Sequence, residues 1–270
     1  MLRKLLKYDL RPIFRFWWIA AIIATGLSVI GGFCQRAYYN YENLPWSIDL
    51  MLSIFSGLAT LGSLALPVLT LVLIFVRFYK NFFSDEGYLT FTLPVSRRTL
   101  MLSKIISGML GLSASTGVCL LNSVIKSSIT YYDLKEATPE VPMEPVQNYE
   151  IFYGVIYLLE IIIGAVLALL CILLFMYACI TFAAMIVRKG KLIAAIGISY
   201  GASSNLFFLV QLFLYLGIAS LSNWLSPLTN IQRSGMIALM GLGLLLVLAI
   251  FCGVFYILQQ LMLERKLNLS

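Results

Sequence analysis

The chain has 270 residues, of which 61% are apolar and 11% charged, and its net charge is +7. Soluble domains carry roughly 25% charged residues, so polar side chains this scarce cannot cover a water-soluble globule. Histidine is absent, which excludes HExxH zinc proteases, Ser-His-Asp triads and histidine proton relays. No GxxxxGK[ST] phosphate cradle is present either.

Several apolar runs exceed 18 residues, which places the chain among polytopic membrane proteins. Backbone groups in lipid must bond within the protein, leaving helices or closed barrels. The runs are continuous rather than alternating, so the expected fold class is all-α. Cys34, Cys119, Cys171, Cys179 and Cys252 fall in or beside apolar runs with no CxxC pair, and read as buried inert thiols.

Residues 1–15 carry Arg3, Lys4, Lys7, Arg11 and Arg15 against one acid, Asp9, with Leu2, Leu5, Leu6, Leu10, Ile13 and Phe14 at helical spacing. This reads as an amphipathic helix lying in the membrane interface. A signal-peptide n-region fits less well, because no small-residue cleavage site follows. Six apolar spans are then expected, at about 16–33, 51–76, 101–125, inside 151–187, 192–218 and 236–260.

The connecting segments 1–15, 77–104, 188–191 and 261–270 hold 15 of the 19 Lys and Arg, and 34–50, 126–150 and 219–235 hold 4. The positive-inside rule therefore puts both termini in the cytoplasm. Six crossings give the same parity. This sided distribution of charge argues for a membrane orientation and against a nucleic-acid partner. Segment 126–150 carries Asp133, Glu136, Glu140, Glu144 and Glu150 with Pro139, Pro142 and Pro145. It reads as an acidic, solvated external loop, extended by its prolines. We find no internal repeat and no second soluble domain, so residues 1–270 are expected to form one integral domain.

Candidate polar positions within the spans are few. Ser103, Ser107, Gly111, Ser115, Cys119 and Ser123 recur every four residues in the third span, a small-residue face that favours packing within the chain over a dimer seam. Asn122 lies beside it. Gly197 and Gly201 form a GxxxG pair ahead of Ser203, Asn205 and Gln211. Glu160 is the one acid in an apolar run. Run 151–187 is too long for one crossing, which favours Glu160 at the outer interface over a role in mid-bilayer. Asn122, Glu160, Ser203, Asn205 and Gln211 are the candidates for a substrate path; helix packing explains Ser203, Asn205 and Gln211 equally well.

Segment 77–104 lies between the second and third spans. Phe82, Phe83, Tyr88, Leu89, Phe91 and Leu93 are too densely placed for a solvated linker, and such clusters mark contact surfaces. Asp85 and Glu86 can meet basic groups or cap a helix start, Gly87 follows them, and Pro94 ends the element. The alternative is that these side chains pack under the protein's own helices.

The run Ser84-Asp85-Glu86-Gly87-Tyr88-Leu89-Thr90-Phe91-Thr92-Leu93-Pro94-Val95-Ser96-Arg97, followed by Ser103-Lys104, resembles the first cytoplasmic loop of ATP-binding-cassette (ABC) exporter permeases of the type-2 class. Glu86-Gly87-Tyr88 matches a Glu-Gly-Thr-like step of that family, with Tyr88 in place of the usual Thr, a variant associated with Gram-positive bacteria. Pro94-Val95-Ser96 and Lys104 match the Pro-Val-Ser step and the lysine that opens the next span. The motif covers about twenty residues of the chain.

The resemblance implies a cytoplasmic coupling helix, formed around Phe82, Phe83, Asp85, Glu86, Gly87, Tyr88, Leu89, Phe91 and Pro94, seated on a separate ATPase subunit. It implies a second permease copy or homologue, a bacterial plasma membrane, and ATP and Mg²⁺ held by the partner, with no cofactor or catalytic residue in this chain. The substrate expected from such a path is a lipid, a lipophilic drug or an antimicrobial peptide. The alternative is a non-transporting immunity or sensor protein that binds a peptide or lipid in the membrane. An intramembrane enzyme is a third and weaker reading, because Glu160 has no identifiable acid or base partner.

Overall fold

The computed structural model describes residues 2–41, 45–83, 97–131, 148–186 and 230–267, with shorter pieces between 193 and 204. Five long helices account for nearly all of them: α1 (Leu2–Asn40), α2 (Trp46–Phe83), α3 (Arg97–Tyr131), α4 (Asn148–Ile186) and α5 (Asn230–Leu267). All five are long and apolar enough to cross a membrane. At 1.5 Å per residue each is about 50–60 Å long, well beyond the roughly 30 Å hydrocarbon core. Ile22, Ile30, Leu61, Val68, Leu120 and Ile161 are exposed on their outer faces. Apolar faces of this extent require lipid as solvent, so the chain is a helical membrane protein.

Packing divides the chain into two compact units. The first holds α1, α2 as far as Phe78, and α3; the second holds α4, α5 and the last turn of α2 from Tyr79. In the first unit α1 and α3 run parallel, since Asp9 meets Lys104, Trp17 meets Ser115 and Gly32 faces Ile129. Helix α2 runs antiparallel to both, with Arg77 beside Tyr8, Thr70 beside Ser115 and Ser56 beside Lys126. Glycines allow this closeness. A Cβ on Gly31 would overlap that of Ala59, and Gly111 sits under Ile74, Thr70 and Ile13.

In the second unit α4 and α5 are also parallel. Tyr157 bonds the Ser234 carbonyl, Gly164 faces Leu245, Phe175 stacks edge-on against Phe255, and Thr181 meets Met262. Residues 187–229 join the two helices in sequence. The fifth expected span, 192–218, falls in that interval and lies mostly outside the described residues.

Three sequence expectations change. Residues 1–15 do not form a separate interfacial helix but continue without a break into the first span as α1. The proline that could have broken it, Pro12, removes one backbone donor, and that loss is made good from α2, as described below. The loop expected at 77–104 is shorter, because α2 runs on to Phe83 and α3 begins at Arg97.

The third change concerns the small-residue column of α3. It is buried only at Ser103, Ser107, Gly111 and Ser115; Cys119 is half-buried and Ser123 is exposed. A four-residue step advances about 400°, so the column turns about 40° per step and leaves the interface after three. Asn122, seven residues beyond Ser115, keeps the buried face instead.

Candidate functional site

One end of the first unit is closed by a buried charge cluster. Asp9 lies on the buried face of α1 in register with Ile13, Trp17 and Ala21. Its carboxylate accepts hydrogen bonds from Lys104 Nζ and from Ser103 Oγ (3.0 Å), and Arg77 Nε stands 3.9 Å away. Arg77 also donates from Nη2 to the Tyr8 carbonyl at 2.7 Å. That carbonyl is the one Pro12 cannot serve, because proline has no N–H for the i→i−4 bond. One guanidinium therefore repairs the helix at its proline and neutralises the carboxylate one residue further on. The cluster joins α1 to the end of α2 and the beginning of α3, the two stems of segment 84–96.

Near the middle of α3, Ser115 Oγ is fully buried and accepts the indole N–H of Trp17 at 2.8 Å. Thr70 Oγ1 lies 2.6 Å from the same oxygen. Each hydroxyl also reaches a carbonyl of its own helix, Thr70 to Leu66 and Ser115 to Gly111. One small polar residue thus ties all three helices where bulky groups would hold them apart.

At the far end, Lys126 places its three donors on three oxygens of α2: the Ser56 carbonyl (3.0 Å), Ser56 Oγ (3.1 Å) and Thr60 Oγ1 (2.7 Å). Ser56 also lies 3.4 Å from Gln35 Oε1 of α1. One turn before Lys126, Asn122 is 1% exposed, and neither end of its amide has a hydrogen-bond partner among the described residues. Each such orphaned group costs about 1–3 kcal/mol. Asn122 is thus a polar position that the packing of the bundle leaves unsatisfied.

In the second unit, Glu160 of α4 rests its carboxylate against Gly241 of α5, where any Cβ would overlap it. Its Oε1 is buried without a hydrogen-bond partner. One turn earlier, Tyr157 bonds the Ser234 carbonyl and stacks on Tyr153 at 6.4 Å. Glu160 falls roughly 12 Å from the middle of its span, near the edge of a hydrocarbon core ~15 Å deep on each side. Such a placement fits the interfacial reading of Glu160, yet its burial against α5 is something the sequence did not suggest.

The structure places Asn122 in the first unit and Glu160 in the second, and Ser203, Asn205 and Gln211 lie outside the described residues. Of the expected coupling residues, Asp85, Glu86, Gly87, Tyr88, Leu89, Phe91 and Pro94 also lie outside them. Phe82 differs from expectation. It forms part of the last turn of α2 and is buried, because α2 extends past the expected start of the loop. Phe83, beside it, is half-buried and packs on Tyr79 and Phe82. Of this aromatic pair, Phe83 is the one with surface to offer.

Sequence reasoning missed two sets, Asp9 with Arg77 at the end of the unit and Trp17 with Thr70 around Ser115. A signal for Asp9 existed. It is the one acid among five cations, and it sits in register with the apolar face rather than the basic one. Its partner, 95 residues away, had no such signal.

No family model, curated protein or solved structure matches the chain.

Proposed function

We propose that the chain is the permease subunit of an ATP-driven transporter of the ABC exporter type. The observation that carries this reading is the segment between α2 and α3. Its sequence has the Glu86-Gly87-Tyr88 to Pro94-Val95-Ser96 pattern, and its two stems are cross-tied through Asp9, Arg77, Ser103 and Lys104. A displacement applied to that segment would be carried into α1, α2 and α3 together rather than absorbed at a hinge.

In this reading an ATPase subunit, holding ATP and Mg²⁺, docks on the segment from the cytoplasm. ATP-driven closure of two such subunits moves the helices of two permease copies between inward- and outward-facing arrangements. Both termini lie in the cytoplasm, and the membrane is a bacterial plasma membrane. The substrate is apolar or amphipathic, and Asn122 and Glu160 are positions where its polar groups would find an unsatisfied partner. The chain itself performs no bond chemistry.

Replacing Phe83, Glu86 and Leu89 together tests the proposal. Co-purification of a nucleotide-binding subunit and substrate movement in vesicles should both be lost, while the variant still elutes as a folded membrane protein. Unchanged co-purification and transport would overturn the docking role.

A further inference from the structure

The exposed side of α1 carries a feature that the transporter reading does not use. Lys7, Arg11, Phe14 and Trp18 follow one another at four-, three- and four-residue steps, so they fall within about 60° of one another around the helix, and Arg15 borders them. Asp9 points to the opposite side and is taken by Lys104. Lys7, Arg11 and Arg15 are exposed and have no carboxylate partner among the described residues.

Two adjoining recesses open on this face and share Arg11 and Phe14. Among the described residues, one, of about 650 Å³, is lined by Leu6, Lys7, Leu10, Arg11 and Phe14, and the other, of about 750 Å³, by Arg11, Pro12, Phe14, Arg15 and Trp18. Their aromatic wall is held in place from behind. Phe14 meets Trp17 edge-on at 5.3 Å, and Trp17 is fixed by its bond to Ser115.

We propose that this face is a binding site for an anionic phospholipid. The phosphodiester would lie among Lys7, Arg11 and Arg15, with the glycerol and first acyl carbons against Phe14 and Trp18. Three cations without a carboxylate partner among the described residues supply the charge complement. Their order along the helix matches that of a lipid, since Lys7 comes first and Trp18 lies about 16 Å further into the span. A soluble acidic protein could meet the cations but could not follow Phe14 and Trp18 into the bilayer. The site stands independently of the transporter reading, because it needs only that α1 enter a membrane.

The test is lipid retention by the full chain in a nonionic detergent, counted by native mass spectrometry during titration with phosphatidylglycerol. Phosphatidylcholine, soluble glycerophosphoglycerol and polyglutamate serve as comparison ligands. Phosphatidylglycerol should bind at least tenfold more tightly than phosphatidylcholine, and neither soluble anion should displace it at equal concentration. Each of Lys7→Gln, Arg11→Gln and Arg15→Gln should weaken binding about fivefold, and all three together on the order of 100-fold. Lys7→Arg/Arg11→Lys/Arg15→Lys should retain it. Trp18→Ala should weaken the lipid without affecting the helical circular dichroism.

Equal binding of phosphatidylcholine would overturn the proposal, as would an unchanged affinity in the neutralised variants. Displacement by glycerophosphoglycerol would assign the site to a free anion, and displacement by polyglutamate to an acidic protein; either result refutes the lipid. If the triple variant does not fold, the single substitutions decide.

Discussion

Replacing Asp9 by alanine removes the acceptor shared by Lys104 and Ser103 and the counter-charge for Arg77. The Lys104 side chain is 9% exposed and that of Arg77 29%, so the lysine is the more deeply buried of the two cations that lose this counter-charge. Removing one member of a buried pair typically costs about 3–5 kcal/mol, most of it the burden of the surviving charge. For a chain of this size about 1 kcal/mol moves the melting midpoint by roughly 2–4 °C, so a fall of about 10 °C is expected. Size-exclusion chromatography after heating, in one detergent, measures it. The reasoning also fixes the behaviour of the double variant. In Asp9→Ala/Lys104→Met the buried cation is removed together with its carboxylate, and part of the loss should be recovered, a coupling of more than about 1 kcal/mol in the mutant cycle. An Asp9→Ala variant that melts within about 1 °C of wild type, or a Lys104→Met change equally harmful with and without Asp9, would refute the assignment.

Arg77→Met should destabilise the protein in wild type but less so in a Pro12→Ala background, because an alanine N–H can serve the Tyr8 carbonyl; equal effects in both backgrounds would disprove the repair. Ser115→Ala should cost about 0.5–2 kcal/mol by leaving the Trp17 N–H without its acceptor, and the indole should then exchange its hydrogen faster in deuterium exchange read by NMR. Gly31→Ala should destabilise the contact between α1 and α2, with Ala59→Gly restoring it, as melting of the single and double variants would report. Gly241→Leu should displace the Glu160 carboxylate and loosen α4 from α5, read as faster crosslinking of cysteines placed on the freed faces.

The sequence by itself settled the class. Long continuous apolar runs such as those around Leu61 and Ile161 admit no other solvent than lipid, and in lipid the backbone must coil on itself. Five of the six expected spans coincide with helices for that reason, and the sixth lies mostly outside the described residues. Apolar periodicity also marked Ser103 to Ser115 as a packing face, since small residues at helical spacing have few other uses in a membrane.

Where that face ends depended on tertiary structure, because the drift of a four-residue repeat counts only once partner helices occupy fixed directions. The same holds for the end of α2. Phe82 looked like loop because the charges around it ended the apolar run, yet a helix continues while its backbone bonds and its inward face remain satisfied. Asp9, Lys104 and Arg77 show the limit most plainly. Each reads alone as one charge in a basic stretch, and their meaning comes from a buried meeting point set by three helices at once. Ion pairs across 95 residues leave no period in a sequence, since only the packing of helices decides which polar groups are withdrawn from water together.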